Sequence, residues 1–212
     1  GYQREYQIKL DLVPDHLQKR AKIYLSSVQR HASERKIPVS IVLAVIQTES
    51  YFNPHACSRP KKNQCLAYGL MQLVPKSGAR EAYRYLYKED QFHKFSTKKQ
   101  AAYLFKPENN ITLGVAYLGK MVNLDLAGVD SLEKRVLLAA SSYNTGHGNT
   151  AKGMMKITSK ASSYPKPTLN VIAREANQLN FEELLQRLKT YLPYEETRHY
   201  VEKINKCITT NT

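Results

Sequence analysis

The sequence predicts an all-α protein, and three observations support that prediction. Apolar residues recur at helical spacing almost throughout the 212 residues. Proline and glycine fall where such stretches begin or end, as at Pro38, Pro107 and Gly146. No run alternates convincingly between apolar and polar residues, although Tyr6–Leu12 is a candidate strand. With 42% apolar residues, the chain is long enough to bury one sizeable core.

Each predicted helix shows an apolar stripe or a proline or glycine boundary. The first carries Leu17 and Val28 on one side, and the second is nearly all apolar until Asn53-Pro54 stops it. We expect a polar loop after the second helix, to about Leu66. The predicted spans are about 15–36, 38–50, 76–88, 107–124, 131–144, a helix after 168, 181–192 and 195–208.

The domain organisation predicted from the sequence is simple. We expect residues 1–14 to be a linker or the remnant of a preceding domain, and residues 15–212 to form one domain. The first residues contain neither an initiator Met nor the apolar segment of a signal peptide, which indicates a processed or truncated chain. No run of about eighteen apolar residues occurs, so we expect no transmembrane segment in this chain.

The net charge of +14 favours an anionic partner. Nucleic acid, an acidic membrane surface and a carboxylate-bearing cell wall all fit that charge. The basic residues are scattered, and no helix-turn-helix, zinc-finger spacing or ribonucleoprotein motif accompanies them. A diffuse basic surface is more often a solvated face than a binding site, so we expect no nucleic-acid partner.

The three cysteines do not form a metal-binding pattern, because zinc sites usually show tight paired spacings. Cys57 and Cys65 enclose a polar loop that contains a proline and three basic residues, which suits a small disulfide in an oxidising compartment. We therefore predict that these two pair and that Cys207 does not. Three unrelated thiols are the alternative at this point.

Glu49 is the candidate catalytic residue. It continues the stripe of Val42, Val45 and Ile46 at helical spacing, so it lies on the apolar face of the second helix. Loss of hydration there disfavours the charged carboxylate and raises the pKa, which suits a general acid near neutral pH. Glu49 is also the sole Asp or Glu from position 35 through position 80, and positions 136–174 contain none.

The alternative interpretation is that Glu49 is not catalytic but is a helix-end carboxylate that faces solvent or pairs with Arg59 or Arg80. The glycine-containing stretch from Ala67 to Gln72 and the helix end at Ser142–Gly146 are, taken alone, ordinary turns and caps. Fifteen Tyr and no Trp leave tyrosine as the aromatic residue for stacking on sugar rings.

Taken together, these segments resemble the catalytic domain of the soluble lytic transglycosylases, a helical domain similar to goose-type lysozyme with a substrate groove. The resemblance covers about residues 37–207. Any one motif is weak evidence, but four motifs in the family's order are strong. They are Glu49-Ser50, Gly69-Leu70-Met71-Gln72, Tyr143-Asn144-Thr145-Gly146 and Glu196-Thr197-Arg198-His199-Tyr200-Val201.

The resemblance implies that residues 15–212 are a catalytic domain and that Glu49 cleaves the bond between N-acetylmuramic acid and N-acetylglucosamine without water. Glu49 would protonate the bridging oxygen and then take the proton of the muramyl 6-hydroxyl, which leaves a 1,6-anhydro end. The residues implied in substrate binding are Ser50, Met71, Gln72, Tyr143, Asn144 and Tyr200, with Tyr200 orienting Glu49 and Ser50 hydrogen-bonding Glu49 or nearby sugar. A hydrolytic muramidase and a non-catalytic wall-binding module are the alternatives.

The family mechanism needs one acid, whereas most glycoside hydrolases need two. We expect no second acid beside Glu49, although folding could bring Glu81, Asp90 or Asp125 close. No cofactor and no metal are expected. The partner implied is the glycan strand of peptidoglycan, in the periplasm of a Gram-negative bacterium, with a lipid anchor to the outer membrane in the full-length protein.

Two features depart from the family pattern. Ser142 stands where the family often has alanine, and we expect this small-for-small change to be tolerated. The loop between Cys57 and Cys65 is longer than its family counterpart and falls near the groove, so it bears on substrate positioning more than on chemistry.

Overall fold

The computed structural model describes residues 15–58, 65–157 and 168–209, which form helices joined by short loops and turns, and that part of the chain contains no named strand. The all-α prediction is therefore confirmed. The candidate strand at 6–12 and the segment 1–14 lie outside the described residues. The α-helices are α1 (Asp15–Glu34), α2 (Val39–Ser50), α3 (Arg80–Tyr87), α4 (Thr97–Leu104), α5 (Pro107–Lys120), α6 (Leu132–Thr145), α7 (His147–Met154), α8 (Leu169–Ala176), α9 (Phe181–Tyr191) and α10 (Glu195–Thr209).

The structure refines the predicted helix boundaries at two places. The helix predicted for 76–88 begins with a π-helical turn at Pro75–Ala79, and the one predicted for 107–124 ends with another at Met121–Asp125. Two short helices, α4 and α7, were not predicted. Helix α4 buries only Leu104, and α7 contains two glycines, so neither shows a broad apolar stripe.

Helix α2 lies in the middle of the main hydrophobic core. Its residues 41–46 are all buried, and α1 packs against one side of it while α10 packs against another. Helices α5, α6 and α7–α9 complete this core. Because α2 is surrounded, a polar side chain at its last turn meets protein on several sides.

A second, smaller core lies under α3 and α4. It contains Tyr68, Leu73, Phe92, Leu104 and Leu113 and is lined by further aromatic rings. Two tyrosines, at 117 and 143, pack against both cores. The boundary between the two cores, called the seam here, therefore runs along Tyr117 and Tyr143, beside the motif segments.

The loop after α2 is held by a disulfide between Cys57 and Cys65, which confirms the predicted pairing. Isolated antiparallel β-bridges join Cys57 to Tyr68 and Tyr68 to Leu73. Cys207 keeps its thiol, which donates a weak hydrogen bond to the carbonyl oxygen of Lys203 in α10. None of the helices described is both long and apolar enough to cross a membrane.

We predict that replacing both Cys57 and Cys65 by Ser lowers the free energy of unfolding by about 2–3 kcal/mol, because the bridge closes a short loop in the unfolded chain. Denaturant melts without reductant measure the difference. Cys207→Ser is the matched control and leaves the midpoint nearly unchanged. Equal losses for the two variants would show that the bridge adds nothing.

Candidate active site

Glu49 lies in the last turn of α2, where the helix meets the seam between the cores. Val45 and Ile46, one turn earlier, are fully buried, while Glu49 keeps a partly exposed surface. The helix ends because Tyr51 adopts a left-handed conformation with φ of 51°, and its N–H still reaches the carbonyl oxygen of Gln47. Glu49 is thus mostly enclosed by protein but open on one side.

Burial raises the pKa of Glu49 from its usual value near 4.5 to about 7. Loss of hydration is the largest cause, since it disfavours the carboxylate. A hydrogen bond from Tyr200 opposes this shift, and the negative charge of Glu196 adds to it. A carboxyl group with such a pKa can give up and regain a proton near neutral pH.

Two tyrosine side chains enclose the Glu49 carboxyl. The Tyr200 hydroxyl is buried and meets no partner at normal hydrogen-bond geometry among the described residues, so its bond to Glu49 is long or bent. The Tyr143 hydroxyl donates to the backbone carbonyl of Met71 over 2.8 Å. Burial, and then the Glu49 charge, raise the pKa of both phenols. Both therefore stay protonated beside Glu49.

The segment from Gly69 to Gln72 forms the wall opposite α2. Met71 is fully buried and packs on Gly114, where a Cβ would lie 2.2 Å from its sulfur. The Gln72 amide donates to the carbonyl oxygens of Ala56 and Gly69 at 3.1 and 2.9 Å. Met71 therefore contributes a backbone carbonyl to the site, whereas Gln72 braces the turn.

A buried asparagine on α5 holds that wall in place. The amide nitrogen of Asn110 donates to the carbonyls of Tyr68 and Leu104, and its oxygen accepts from the Met71 N–H, all at 2.8 Å. Gly69 makes room for it, because a Cβ there would lie 2.4 Å from the Asn110 amide nitrogen. Asn110 thus satisfies three buried backbone groups at once.

Asn144 and Ser50 complete the set of candidate residues. The Asn144 side-chain oxygen accepts a 2.6 Å hydrogen bond from Thr197, which is 1% exposed. That bond occupies the side-chain oxygen of Asn144 and joins α6 to α10. The Ser50 hydroxyl donates to the carbonyl of Ile46 at 3.1 Å, so its proton is not directed at Glu49.

The second acid near Glu49 is Glu196, which sequence analysis overlooked although it belongs to the fourth motif. Packing of α10 on α2 brings its exposed carboxylate close enough to raise the pKa of Glu49. Asp90 is instead paired with Arg80, and Glu81 and Asp125 are paired with Lys120. An ion pair between Arg80 and Glu49 is therefore excluded, while Arg59 lies outside the described residues.

Three residues that support the candidate site had no role predicted from the sequence, namely Asn110, Thr197 and Tyr117. Tyr117 packs against Tyr143 with ring centroids 5.5 Å apart and the rings tilted by 52°. Asn110 follows Asn109 near the polar start of its helix and carries no local signal, whereas the signal for Thr197 was its place within a motif. The described residues include no group of three or more His, Cys, Asp or Glu side chains that could hold a metal ion.

A helical domain that holds one enclosed carboxyl of near-neutral pKa is suited to general-acid cleavage of a glycosidic bond. The family comparison is more specific, since residues 26–164 match the Transglycosylase SLT domain. The chain belongs to this family, as its motifs indicated.

Curated relatives agree with the family assignment. The chain is 35% identical over 205 residues to the membrane-bound lytic murein transglycosylase C of Klebsiella pneumoniae, covering 97% of this chain and 51% of that protein. A protein of the same name from Yersinia pestis is 34% identical over 200 residues, covering 94% of this chain and 49% of the relative. The chain therefore spans about half the length of the curated relatives it matches.

Two solved structures share the fold. The 70 kDa soluble lytic transglycosylase of Escherichia coli superimposes with a TM-score of 0.58 at 23% identity, over 90% of this chain and 24% of that one. An inactive glutamate-to-glutamine mutant of the lytic transglycosylase Slt from Pseudomonas aeruginosa superimposes with a TM-score of 0.54 at 24% identity, over 87% of this chain and 23% of that one. The predicted lysozyme-like fold is thereby confirmed.

We predict that Asn110→Ala lowers the free energy of unfolding by about 3–5 kcal/mol, because three buried backbone groups lose their partner. Asn109→Ala is the matched control, since Asn109 makes one partly buried bond to the Tyr103 carbonyl, and about 1 kcal/mol or less is expected there. Denaturant melts compare the two. Similar losses at both positions would contradict the role assigned to Asn110.

We also predict that kcat/KM for glycan cleavage falls as pH rises through about 7, because Glu49 must be protonated to act as an acid. Tyr200→Phe removes a hydrogen bond that favours the carboxylate, so the pKa of Glu49 rises and the alkaline limb of the pH profile moves to higher pH. Glu196→Gln removes a like charge, so the limb moves to lower pH. The pH profiles of the two variants check this, and shifts in the same direction would refute it.

Proposed function

We propose that this chain is a peptidoglycan lytic transglycosylase that cuts the β-1,4 bond between N-acetylmuramic acid and N-acetylglucosamine and leaves 1,6-anhydromuramyl ends. The observation that carries the proposal is the Glu49 carboxyl, whose pKa is raised to about 7 within a domain of the SLT family. The names of the curated relatives, which are lytic murein transglycosylases, support the same activity.

In the first step, Glu49 donates its proton to the glycosidic oxygen as the bond to the anomeric carbon breaks. The desolvated surroundings favour the protonated acid before the step, and the Tyr200 hydroxyl steadies the carboxylate that forms. The acetamido group of the substrate stabilises the positive charge that develops at the anomeric carbon. No second protein carboxylate is needed for this step.

In the second step, the Glu49 carboxylate removes the proton from the muramyl 6-hydroxyl, whose oxygen then bonds to the anomeric carbon. The acid is regenerated, and no water is consumed. A pKa near 7 suits both steps, since the same group must first lose and then regain a proton at one pH.

We assign the neighbouring residues as follows. Asn144 offers amide N–H groups to the N-acetyl sugar at the cleavage point, because Thr197 occupies its oxygen. Tyr143, fixed by the Met71 carbonyl, forms the apolar wall beside that sugar. Ser50 and Gln72 carry supporting roles, since their hydrogen-bond donors are already used within the protein.

A hydrolytic muramidase is the second candidate, and Glu196 is the observation that favours it. A carboxylate near Glu49 could serve as the second group that most glycoside hydrolases need. The exposure of Glu196 favours the transglycosylase, because this residue lies at the open start of α10. Glu196 acts there as a neighbouring charge that raises the pKa of Glu49. The two candidates differ in whether solvent oxygen enters the product.

We propose that the protein works in the periplasm and is held at the outer membrane through a lipid anchor in a part of the protein outside residues 15–209. The disulfide between Cys57 and Cys65 supports an oxidising compartment. The words "membrane-bound" in the relatives' names support attachment to a membrane. Fractionation of cells that express the full-length protein tests this location.

We predict that digestion of purified sacculi in ¹⁸O-labelled water yields anhydromuramyl ends without labelled oxygen. The reason is that the muramyl 6-hydroxyl, and not water, attacks the anomeric carbon. Mass spectrometry of the products measures both quantities. Reducing ends that contain ¹⁸O would identify a muramidase, and no new ends of either kind would identify a non-catalytic wall-binding module.

Glu49→Gln is the matched control for that digestion. It should lower the rate by about two to four orders of magnitude or more, because one group supplies both proton transfers. Above pH 7 the variant should also have a larger free energy of unfolding than wild type, because the wild-type carboxylate is then charged in a desolvated site. Retention of roughly a tenth of the wild-type rate would rule out the assigned role.

A further inference from the structure

A stripe of basic residues follows the Gly69–Gln72 wall along one side of the chain. Lys76, Arg80 and Arg84 recur every four residues through the π-helical turn and α3, so they share one face, and Lys88 just after α3 lines the same cavity. The opposite face of α3 packs on the aromatic core through Ala82 and Tyr83. The stripe is therefore held on a rigid support.

This face borders a surface cavity of about 760 Å³. Two of its cations are already paired, Arg80 with Asp90 and Lys120 with Glu81. Lys76, Arg84 and Lys88 are exposed and form no ion pair with any residue in the described ranges, although Lys88 lies over the Tyr85 ring at 5.1 Å. Glu89 is the remaining acid at the rim. The cavity thus presents three unneutralised cations and one anion.

The pattern works against the stability of α3. Like charges four residues apart repel each other on a helix. Lys76 and Arg80 also lie at the N-terminal end, where the helix dipole disfavours cations. An incoming group with several carboxylates would relieve both effects, so the stripe is suited to an anionic ligand.

The turn that carries Lys76 links the cavity to the candidate active site. Lys76 follows Gln72 by four residues, and Gly78 in the same turn packs on the Tyr117 ring, 3.1 Å from where its Cβ would be. Tyr117 in turn packs against Tyr143. Tyr117 and Tyr143 therefore connect the turn that borders the cavity to the surroundings of Glu49.

We propose that this cavity binds the carboxylates of the peptide stem carried by the muramyl sugar, and that Lys76, Arg84 and Lys88 determine a preference for stem-bearing glycan. The inference rests on the proposed function, since it identifies which part of the peptidoglycan substrate the cavity recognises. Stems carry several carboxylates on a flexible chain, which matches three exposed cations spaced along the rim of one cavity.

The test compares soluble murein strands that carry tetrapeptide stems with the same strands after an amidase has removed the stems. Binding is measured in the Glu49→Gln background, so the result does not depend on cleavage. K76Q/R84Q/K88Q should weaken binding of stem-bearing strands about tenfold, because exposed charge pairs are individually weak and three are lost. Binding of stem-free strands should stay within about twofold.

K19Q/R20Q/K22Q is the matched control, because it removes the same charge from α1. It should leave both affinities within about twofold, and thermal melts should show both triple variants folded. Equal weakening for stem-bearing and stem-free strands, no weakening at all, or equal weakening by the control would each overturn the proposal. If the stem effect occurs but wild type forms no anhydro ends, the proposed function fails and the cavity assignment stands.

Discussion

The structure depends on keeping the Glu49 carboxyl desolvated while leaving one side of it open. A fully buried acid could not reach a glycan, and a fully hydrated one would be ionised at neutral pH. The domain meets both conditions by placing Glu49 at the end of its most enclosed helix, where the two cores meet. Tyr143 and Tyr200 fill the space around the carboxyl without bringing a competing positive charge.

The surrounding walls are fixed by a few buried polar bonds and not by the apolar core alone. Asn110 ties the Gly69–Gln72 segment to α5, Tyr143 ties it to α6, and Thr197 ties α6 to α10. Each bond joins elements distant in the sequence, and each buried group left without its partner would be costly. The four motifs are thus held in one geometry around Glu49.

Local sequence patterns predicted what depends on local physics. The apolar stripe of α2 located Glu49 on a buried face, and proline and glycine located most helix ends. The role of Asn110 could not be predicted in this way, because its three partners lie in two other segments. Glu196 was missed for the same reason, since only the packing of α10 on α2 makes it a neighbour of Glu49. Ser142 was judged tolerable by size, and the structure adds that its hydroxyl bonds to Thr150.

Backbone strain beside Glu49 has a structural purpose. Tyr51 and Phe52 both have positive φ, which is unfavourable for side chains of this size, and Gln72 in the facing turn has φ of 44°. The first two residues reverse the chain after α2 and bury Phe52, so that the carbonyl of Ala56 reaches both the Gly69 N–H and the Gln72 amide. The strained turn therefore brings the chain that follows α2 into contact with the Gly69–Gln72 wall, close to Glu49. A relaxed helix end would leave the Gly69–Gln72 wall without this support, and Tyr143 would lose the fixed carbonyl that holds it beside Glu49.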